Sequence, residues 1–278
     1  MPPRVTVLMP VYNQERFVDE AIRSVIEQDF ADFELLVVDD ASTDRTPQIL
    51  RQWASRDERV VVVTAPANLG IPEALNLGLR HARAPYVARL DGDDRMMPRR
   101  LAAQIAILET RPDVALVGCA YQTVDESGHY LGTSPPSGTH EAVLYFLNFH
   151  SAAAAHPSVM FRRDDVLALG GYNPEFPSTE DYDLWSRLLR RGRLVSLPLI
   201  GFQQRRHGAQ SAVRYADFKR RNWHGIMGPL LRRHLGRDVT AAEIDALITV
   251  WQFDGRRGMS RTADRVMREA FARFCAEH

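Results

Sequence analysis

Two acidic clusters in the 278-residue chain could do chemistry: Asp91-Gly92-Asp93-Asp94 and Asp39-Asp40. An Asp-x-Asp turn can hold Mg²⁺ or Mn²⁺ through one or two carboxylates, leaving other positions of the ion for water and substrate phosphate oxygens. The glycine between the acids lets the turn approach a ligand closely. Asp and Gly also build ordinary surface turns. The ligand reading gains weight because this turn follows the segment Tyr86–Leu90, which reads as a buried strand. Asp39-Asp40 precede Ser42 and Thr43, which can cap a helix. Two adjacent acids exceed what capping needs, so one is free to accept a hydrogen bond from a nucleobase N–H. Tyr12 could stack on the same base, and such stacking contributes about 1–3 kcal/mol in single-strand binders.

These groups need elements to position them. Val5–Met9 is a short apolar run closed by Pro10, as a buried strand would be. Phe17, Val18, Ala21, Ile22, Val25 and Ile26 recur at helical spacing. Leu35–Val38 and Val60–Val63 read as further buried strands, with a helix between them carrying Pro47 in its first turn and Ile49, Leu50 and Trp53 on its apolar face. A helix over Pro72–Ala82 and a strand over Tyr86–Leu90 complete the series. Strands alternating with helices predict a parallel sheet covered on both faces. In such a sheet ligands bind beyond the carboxyl ends of the strands. There the sequence delivers Tyr12 and Asn13, Asp39 and Asp40, Asn68 and Gly70, and Asp91, Asp93 and Asp94. So many carboxylates at one edge repel each other strongly without a compensating cation.

The pattern changes after residue 100. Leu101, Ile105 and Leu108 lie on a helix ended by Arg111-Pro112. Val114–Cys119 and Gln122–Val124 read as two strands, with Asp125-Glu126-Ser127-Gly128 as the turn between hairpin arms. Gly132–Thr139 is rich in Pro, Ser and Gly and predicts a loop. A strand over Val159–Phe161 and a short helix over Asp164–Leu169 follow, and Gly170-Gly171 breaks the chain. Glu180–Arg190 is helical, with Leu184, Trp185, Leu188 and Leu189 facing inward, and the chain after His207 is mostly helical. Ile244, Leu247, Ile248 and Trp251 give the tail an apolar face, to pack on the core or on a second copy in a homodimer.

Composition excludes several classes. Apolar residues make up 45% and charged residues 25%, the balance of a globular chain large enough to fold without disulfides. Cys119 and Cys275 are far apart, which rules out a cysteine-based zinc site. Lys219 is the only lysine, and its surroundings are not a Walker loop. There is no G-x-G-x-x-G to support a dinucleotide-binding dehydrogenase. No apolar run approaches the roughly 18–20 residues that span a bilayer, and the short apolar start lacks the form of a signal peptide. The chain is therefore read as cytoplasmic. The 35 Lys+Arg balance 35 Asp+Glu, yet Arg187–Arg237 holds 13 basic residues and one acid, Asp217. That tract predicts an ordinary solvated surface, a peripheral contact with anionic membrane at the inner face, or a surface for an anionic acceptor. Nucleic acid is not expected, because no recognition module accompanies the charge.

In order along the chain, Val5–Asn13, Val37-Val38-Asp39-Asp40-Ala41-Ser42-Thr43-Asp44, Asn68-Leu69-Gly70, Ala74-Leu75-Asn76, Leu90–Asp94, Pro98 and Leu101 resemble a family 2 glycosyltransferase. The resemblance continues through His156-Pro157-Ser158, Gly170-Gly171-Tyr172 and Glu180-Asp181-Tyr182-Asp183-Leu184-Trp185. It implies an α/β GT-A fold with a Rossmann-like, mostly parallel sheet, a nucleotide-sugar donor, Mg²⁺ or Mn²⁺, and inversion at the anomeric carbon. It also implies a domain over 1–208, with a nucleotide-binding half (1–100) and an acceptor-binding half (101–208), followed by a helical extension over 209–278. Pro10, Tyr12, Glu15 and Asp40 match base-pocket positions, and Asn68, Gly70 and Asn76 join them as nucleotide candidates. Asp91 matches the ribose- or metal-facing acid, Asp93 the metal ligand, and Asp94 goes with the acid pair. Asp181 matches the catalytic base, and His207 the C-terminal histidine that reaches metal or diphosphate. Where the family often has Tyr-Arg-x-His, this chain has Gln203-Gln204-Arg205-Arg206-His207.

His156, Gly171, Glu180 and Arg205 are the candidates to meet donor or acceptor. A structural histidine at 156, a helix end at Gly170-Gly171, a helix-start acid at Glu180 and a plain helix interruption at Asn76 are the bland alternatives. The expected reaction moves a hexose or N-acetylhexosamine from a nucleoside diphosphate, UDP first, to a hydroxyl on a glycan or lipid-linked acceptor. A nucleotidyltransferase would need more basic groups near the first strand than Arg16 and Arg23. An inactive nucleotide-sugar-binding protein would not need both Asp93 and Asp181.

Overall fold

Continuous apolar runs flanked by amphipathic stretches fold as β1 (Val5–Val11), α1 (Val18–Ile26), β2 (Phe33–Asp39), α2 (Thr46–Arg56), β3 (Val60–Thr64), α3 (Ile71–His81) and β4 (Tyr86–Arg89). The computed structural model describes residues 2–136, 138–141, 154–208, 216–252 and 260–277. β1 lies between β2 and β4 with parallel pairing on both sides, and β3 pairs parallel with β2. Every residue of β2 is buried, as in a strand covered on both faces. Val18, Ala21, Ile22 and Val25 of α1 close one face. Ala74, Leu75 and Leu79 of α3 close the other. The sheet edge carrying Asp39–Asp40 and Asp91–Asp94 is thereby fixed as expected.

The second half adds β5 (Arg95–Met96), α4 (Arg100–Thr110), β6 (Val114–Val124), β7 (Tyr130–Ser134), a 3-10 turn (His156–Ser158), β8 (Met160–Arg162), α5 (Arg163–Ala168), α6 (Glu180–Leu188) and β9 (Arg193–Arg205). Strand order is β3-β2-β1-β4-β8-β6-β9-β5, with β7 paired to β6. β6 and β9 are parallel, whereas β8 is antiparallel to β4 and β6, and β5 to β9. Through β5 the far edge of the sheet returns to the chain just after the acidic turn: Arg95 registers with Gln203 and Met96 with Phe202.

The sequence reading needs three corrections here. The two strands expected over 114–119 and 122–124 are one strand, whose register against β9 is irregular around Cys119–Tyr121. The first part of the loop expected over Gly132–Thr139 belongs to β7, because pairing with β6 overrides its turn-like composition. The helix expected to reach Arg190 ends at Leu188.

α7 (Ala216–Leu235), α8 (Ala241–Gln252) and α9 (Arg261–Glu277) end the chain. Met227, Leu231 and Leu235 of α7 form a small core with Leu247 and Ile248 of α8 and Ala263, Val266 and Ala270 of α9. Ile226 and Leu230 of α7 instead join the core beneath α3 and α6. The side chain of Trp251 lies outside the described residues. Within the basic tract, Arg187, Arg193, Arg205, Arg232 and Arg237 pair with acids of this chain, which neutralises part of its charge. Among the described residues, no helix is long and apolar enough to cross a membrane.

A buried polar knot joins α4 to the sheet. Gln104 is 0% exposed; its Nε2 donates to the carbonyls of Val117 and Ser158, both at 2.8 Å, and its Oε1 accepts from Arg100 Nε at 3.0 Å. Arg100 Nη2 donates to the carbonyls of Arg89 and Val159. Leucine at 104 would keep the volume and strand those partners, so Gln104→Leu should lower the unfolding free energy by about 1–3 kcal/mol. Urea denaturation measures this, and a loss under about 0.5 kcal/mol would show that the knot does not stabilise the fold.

Candidate active site

Short hydrogen bonds zip together the loops after β1 and β2. Asn13 Oδ1 accepts from Thr43 N at 2.8 Å, and Asn13 N donates to Ser42 Oγ at 2.9 Å. Glu15 N donates to Asp44 Oδ2, and Glu15 Oε2 accepts from Arg45 N at 2.9 Å. Asn13 and Ala41 take the left-handed backbone, with φ of 52° and 60°, which favours glycine. The two adjacent acids divide their work: Asp39 Oδ1 accepts from Ser42 N at 3.0 Å inside the loop, and Asp40 turns toward the next loop; the helix cap expected of Ser42 and Thr43 falls instead at Arg45, because α2 starts only at Thr46. Asp40 Oδ1 accepts from Leu69 N at 2.7 Å and Oδ2 from Gly70 N at 2.9 Å. Asn68 Nδ2 reaches the Asp40 carbonyl at 3.4 Å. Gly70 has φ +83°, so glycine is what lets both amides face one carboxylate. Each Asp40 oxygen keeps a second lone pair for a ligand. Pro10 and Tyr12 are half-buried at the end of β1. The Glu15 carboxylate serves as a tie between loops.

Beyond β4, one ligand atom each from Asp91, Asp93 and Asp94 lie within 4.8 Å of one another. Each acid has its own partner: Asp91 forms an ion pair with Arg89, Asp93 Oδ2 lies 2.8 Å from His207 Nε2, and Asp94 Oδ1 accepts from Arg205 N at 2.9 Å. Asp94 is 2% exposed and its Oδ2 has no partner. Burial, then the charges of Asp91 and Asp93, hold its carboxyl well above the usual carboxylate range. A buried, unpartnered carboxylate oxygen beside two more acids is a donor set that suits a hard divalent cation.

Arg205 is not placed to meet donor or acceptor. It is 4% exposed and lies behind the acidic turn, with Nη2 donating to Glu20 Oε2 at 2.6 Å, Nη1 to the Glu126 carbonyl and Nε to the Asp93 carbonyl. Phe17 lies under both Arg205 and His207, 5.0 and 4.9 Å away. Phe17, Glu20 and Arg89 escaped the sequence reading. Phe17 reads as helix core, Glu20 as a solvated helix acid, and Arg89 as one arginine among many.

α6 opens with Glu180 and Asp181. Ser178 just before it is left-handed, with φ 64°. Asp181 is half-buried, and its Oδ1 accepts from Tyr182 N at 2.7 Å. Burial, with the charge of Glu180 adding and that of Arg89 opposing, pushes its carboxyl up to about 6. Glu180 is 5% exposed with Oε2 unpartnered, and burial raises its carboxyl as well.

His156 takes the structural role left open by the sequence. It is buried, with Nε2 2.9 Å from Tyr172 Oη and Nδ1 3.6 Å from Glu180 Oε1. Burial pushes the imidazole down to about 3, so it is neutral near pH 7. Asn76 and Gly171 are likewise structural. Both polar atoms of the Asn76 amide bond the backbone of Tyr172 at 2.8 Å. Gly171 has φ +76°, and a Cβ there would run into Asn76 Oδ1. A cleft of about 190 Å³ separates Leu69–Glu73, which hold Asp40, from Pro174, Pro177 and Ser178 on the approach to Asp181.

Residues 6–170 match the family model for glycosyl transferase family 2. EpsE of Bacillus subtilis (strain 168) is 34% identical over 193 residues, which are 68% of this chain and 68% of that one. S. aureus TarS 1–349, solved in complex with UDP-GlcNAc, superposes with a TM-score of 0.69 at 20% identity, covering 98% of this chain and 80% of that one. The mannosyltransferase PcManGT from Pyrobaculum calidifontis, solved with GDP-Man and Mn²⁺, gives a TM-score of 0.62 at 20% identity, covering 99% and 75%. Together with the acids at the ends of β2 and β4, these matches mean that the chain belongs to glycosyltransferase family 2 and has the GT-A fold.

Proposed function

We propose that the protein is an inverting, cation-dependent glycosyltransferase. It moves a hexosyl or N-acetylhexosaminyl group from a nucleoside-diphosphate sugar, UDP-linked in the first instance, to a hydroxyl of a surface glycan or lipid-linked acceptor. The observation that carries this reading is Asp181. A half-buried carboxylate on the first turn of α6 has its acidity shifted to about 6, and three clustered acids follow β4. Solved TarS with UDP-GlcNAc and PcManGT with GDP-Man and Mn²⁺ support a nucleotide-sugar donor and a divalent cation.

Asp40, held by Leu69 N and Gly70 N, accepts from the base or ribose, and Tyr12, just after β1, stacks on the base. Asp91, Asp93 and Asp94 would hold Mg²⁺ or Mn²⁺, with His207 beside them. The ion supplies charge stabilisation for the departing diphosphate, which gains negative charge in the transition state. Asp181 takes the proton from the acceptor hydroxyl as that oxygen bonds to the anomeric carbon. The bond from that carbon to the diphosphate oxygen breaks on the opposite face, so one displacement inverts the configuration. Glu180 and His156 fix the first turn of α6 and so the place of Asp181.

Asp181→Asn should lower kcat by about 10²–10⁴-fold and leave the donor Kd nearly unchanged. A base acts only when deprotonated, so kcat/KM of the native enzyme should fall as pH drops through about 6. Wild-type turnover in Asp181→Asn, or an acid limb near 4, would remove Asp181 from the role.

Calorimetry of UDP with and without Mn²⁺ tests the acid cluster. Asp94→Asn should abolish the tightening of UDP binding by the cation. Equal UDP affinity in the presence of a chelator would sink the cation requirement.

The base is decided by thermal stabilisation across a panel of nucleotide sugars. Ligand bound only by the folded form raises the melting temperature, by about 2.7 kcal/mol of added stability at a hundredfold excess over Kd. UDP-sugars should shift it most, and a larger shift with GDP-sugars would reassign the donor.

A further inference from the structure

The acidic turn is held at two places. At Gly92 it presses on the end of β1, so closely that a Cβ there would run into the Val11 side chain. From Arg95 onward it is held by α1. Phe17 just before that helix, Glu20 and Ser24 within it and Gln28 just after it are spaced by three and four residues, as along one face of a helix. Glu20 Oε1 lies 3.1 Å from Arg95 Nε, Ser24 Oγ accepts from Met96 N at 2.9 Å, and Gln28 Nε2 donates to the Met97 carbonyl at 2.9 Å. The helix thus fastens three successive residues of the chain leaving the acids. Phe17 stands at the head of the same face, against the Arg205 guanidinium and the His207 ring. Glu20 also accepts from Arg205, Nη2 to Oε2, at 2.6 Å. Its two ion pairs differ in weight. The Arg95 and Glu20 side chains are 46% and 44% exposed, and a pair so exposed contributes little. The Arg205 side chain is 5% exposed. Its guanidinium cannot shed its proton, and leaving it without an anion is costly. Asp93 and Glu126 offer it main-chain carbonyls, and Glu20 offers a carboxylate. Arg205 in turn touches two of the clustered acids: Nε meets the Asp93 carbonyl at 3.2 Å, and its backbone N–H meets the Asp94 carboxylate at 2.9 Å.

We propose that Glu20 is a positioning residue for the cation-holding turn and acts on it through Arg205. This rests on the cation role proposed for Asp91, Asp93 and Asp94 and goes beyond it by assigning the geometry of their turn to a residue on α1. With its charge met by Glu20, the guanidinium stays against the main chain of the turn and leaves the carboxylates to the ion. Deprived of Glu20, it needs another anion, and the acids whose main chain it already touches are at hand. An arginine drawn onto them competes with the cation. Neighbours that orient metal ligands without binding the ion change metal affinity by about 10–100-fold when they are removed.

The test uses the full chain and reads Mn²⁺ affinity by electron paramagnetic resonance at saturating UDP. Glu20→Gln should weaken Mn²⁺ binding by about tenfold or more, and Arg205→Met by a similar factor. In the double variant the loss should be no larger than in Arg205→Met alone, because Glu20 then has nothing to act through. UDP affinity in the presence of a chelator should stay native in Glu20→Gln, whereas a general loosening of the fold would lower it. Native Mn²⁺ affinity in Glu20→Gln overturns the proposal. So does an additive loss in the double variant, or an equal fall in UDP binding without the cation. If Arg205→Met does not fold, Glu20→Gln decides by itself, since that side chain is 44% exposed and its replacement is nearly the same size. The outcome is separable from the cation reading. A native protein that binds no Mn²⁺ with UDP loses the cation role itself. A native protein that binds Mn²⁺ no more tightly than Glu20→Gln loses only the role of Glu20.

Discussion

Repulsion among Asp91, Asp93 and Asp94 is the constraint that organises the site. Three carboxylates with ligand atoms within 4.8 Å of one another do not stay ionised in a buried setting without compensation. The chain supplies one partner to each: the Arg89 guanidinium, the His207 ring and the Arg205 backbone N–H. Compensation stops short at Asp94 Oδ2, which keeps the cluster electron-rich and suited to a hard cation. A fully neutralised turn would be more comfortable and chemically inert.

Two of those partners come from the end of β9, far along the chain from the acids. The curl of the sheet brings them there. β8 reverses direction between β4 and β6, β9 then runs parallel to β6, and the two residues of β5 fasten its far end beside the acidic turn. Arg205 secures this closure through Glu20 on α1 and the carbonyls of Asp93 and Glu126, with Phe17 beneath it. The knot of Arg100 and Gln104 serves the same end one layer deeper, where it ties α4 to the carbonyls of β4, β6 and the residues entering β8.

The start of α6 is held by a second chain of contacts. Asn76 on α3 grips the backbone of Tyr172, Tyr172 orders His156, and His156 faces Glu180. Asp181 stands one residue on, where α6 begins and the backbone is held by packing of Trp185 and Leu188. A carboxylate on the first turn of a well-packed helix keeps its direction while remaining open to solvent on one side. Burial on the other side shifts its acidity toward neutral pH.

The first four strands and three helices were legible because each is a local pattern: short, mostly apolar runs at 5–9, 35–38, 60–63 and 86–90, broken only by Thr6 and Arg89, and helical spacing between them. β6 was read as two strands, 114–119 and 122–124, because the apolar run gives way to polar residues after Tyr121, and the end of β7 was read as loop because its exposed residues obey pairing with β6 instead of hydrophobicity. The acids at 40, 91, 93, 94 and 181 could be singled out as candidates, since strand ends and a helix start are positions that sequence alone can mark. What those side chains face was decided only in three dimensions. Arg205 meets Glu20, 185 residues away, and turns inward; His156 loses its charge to burial; Arg89 becomes the buried partner of Asp91. Burial and long-range pairing set acidity, and neither is encoded in any window of residues short enough to read.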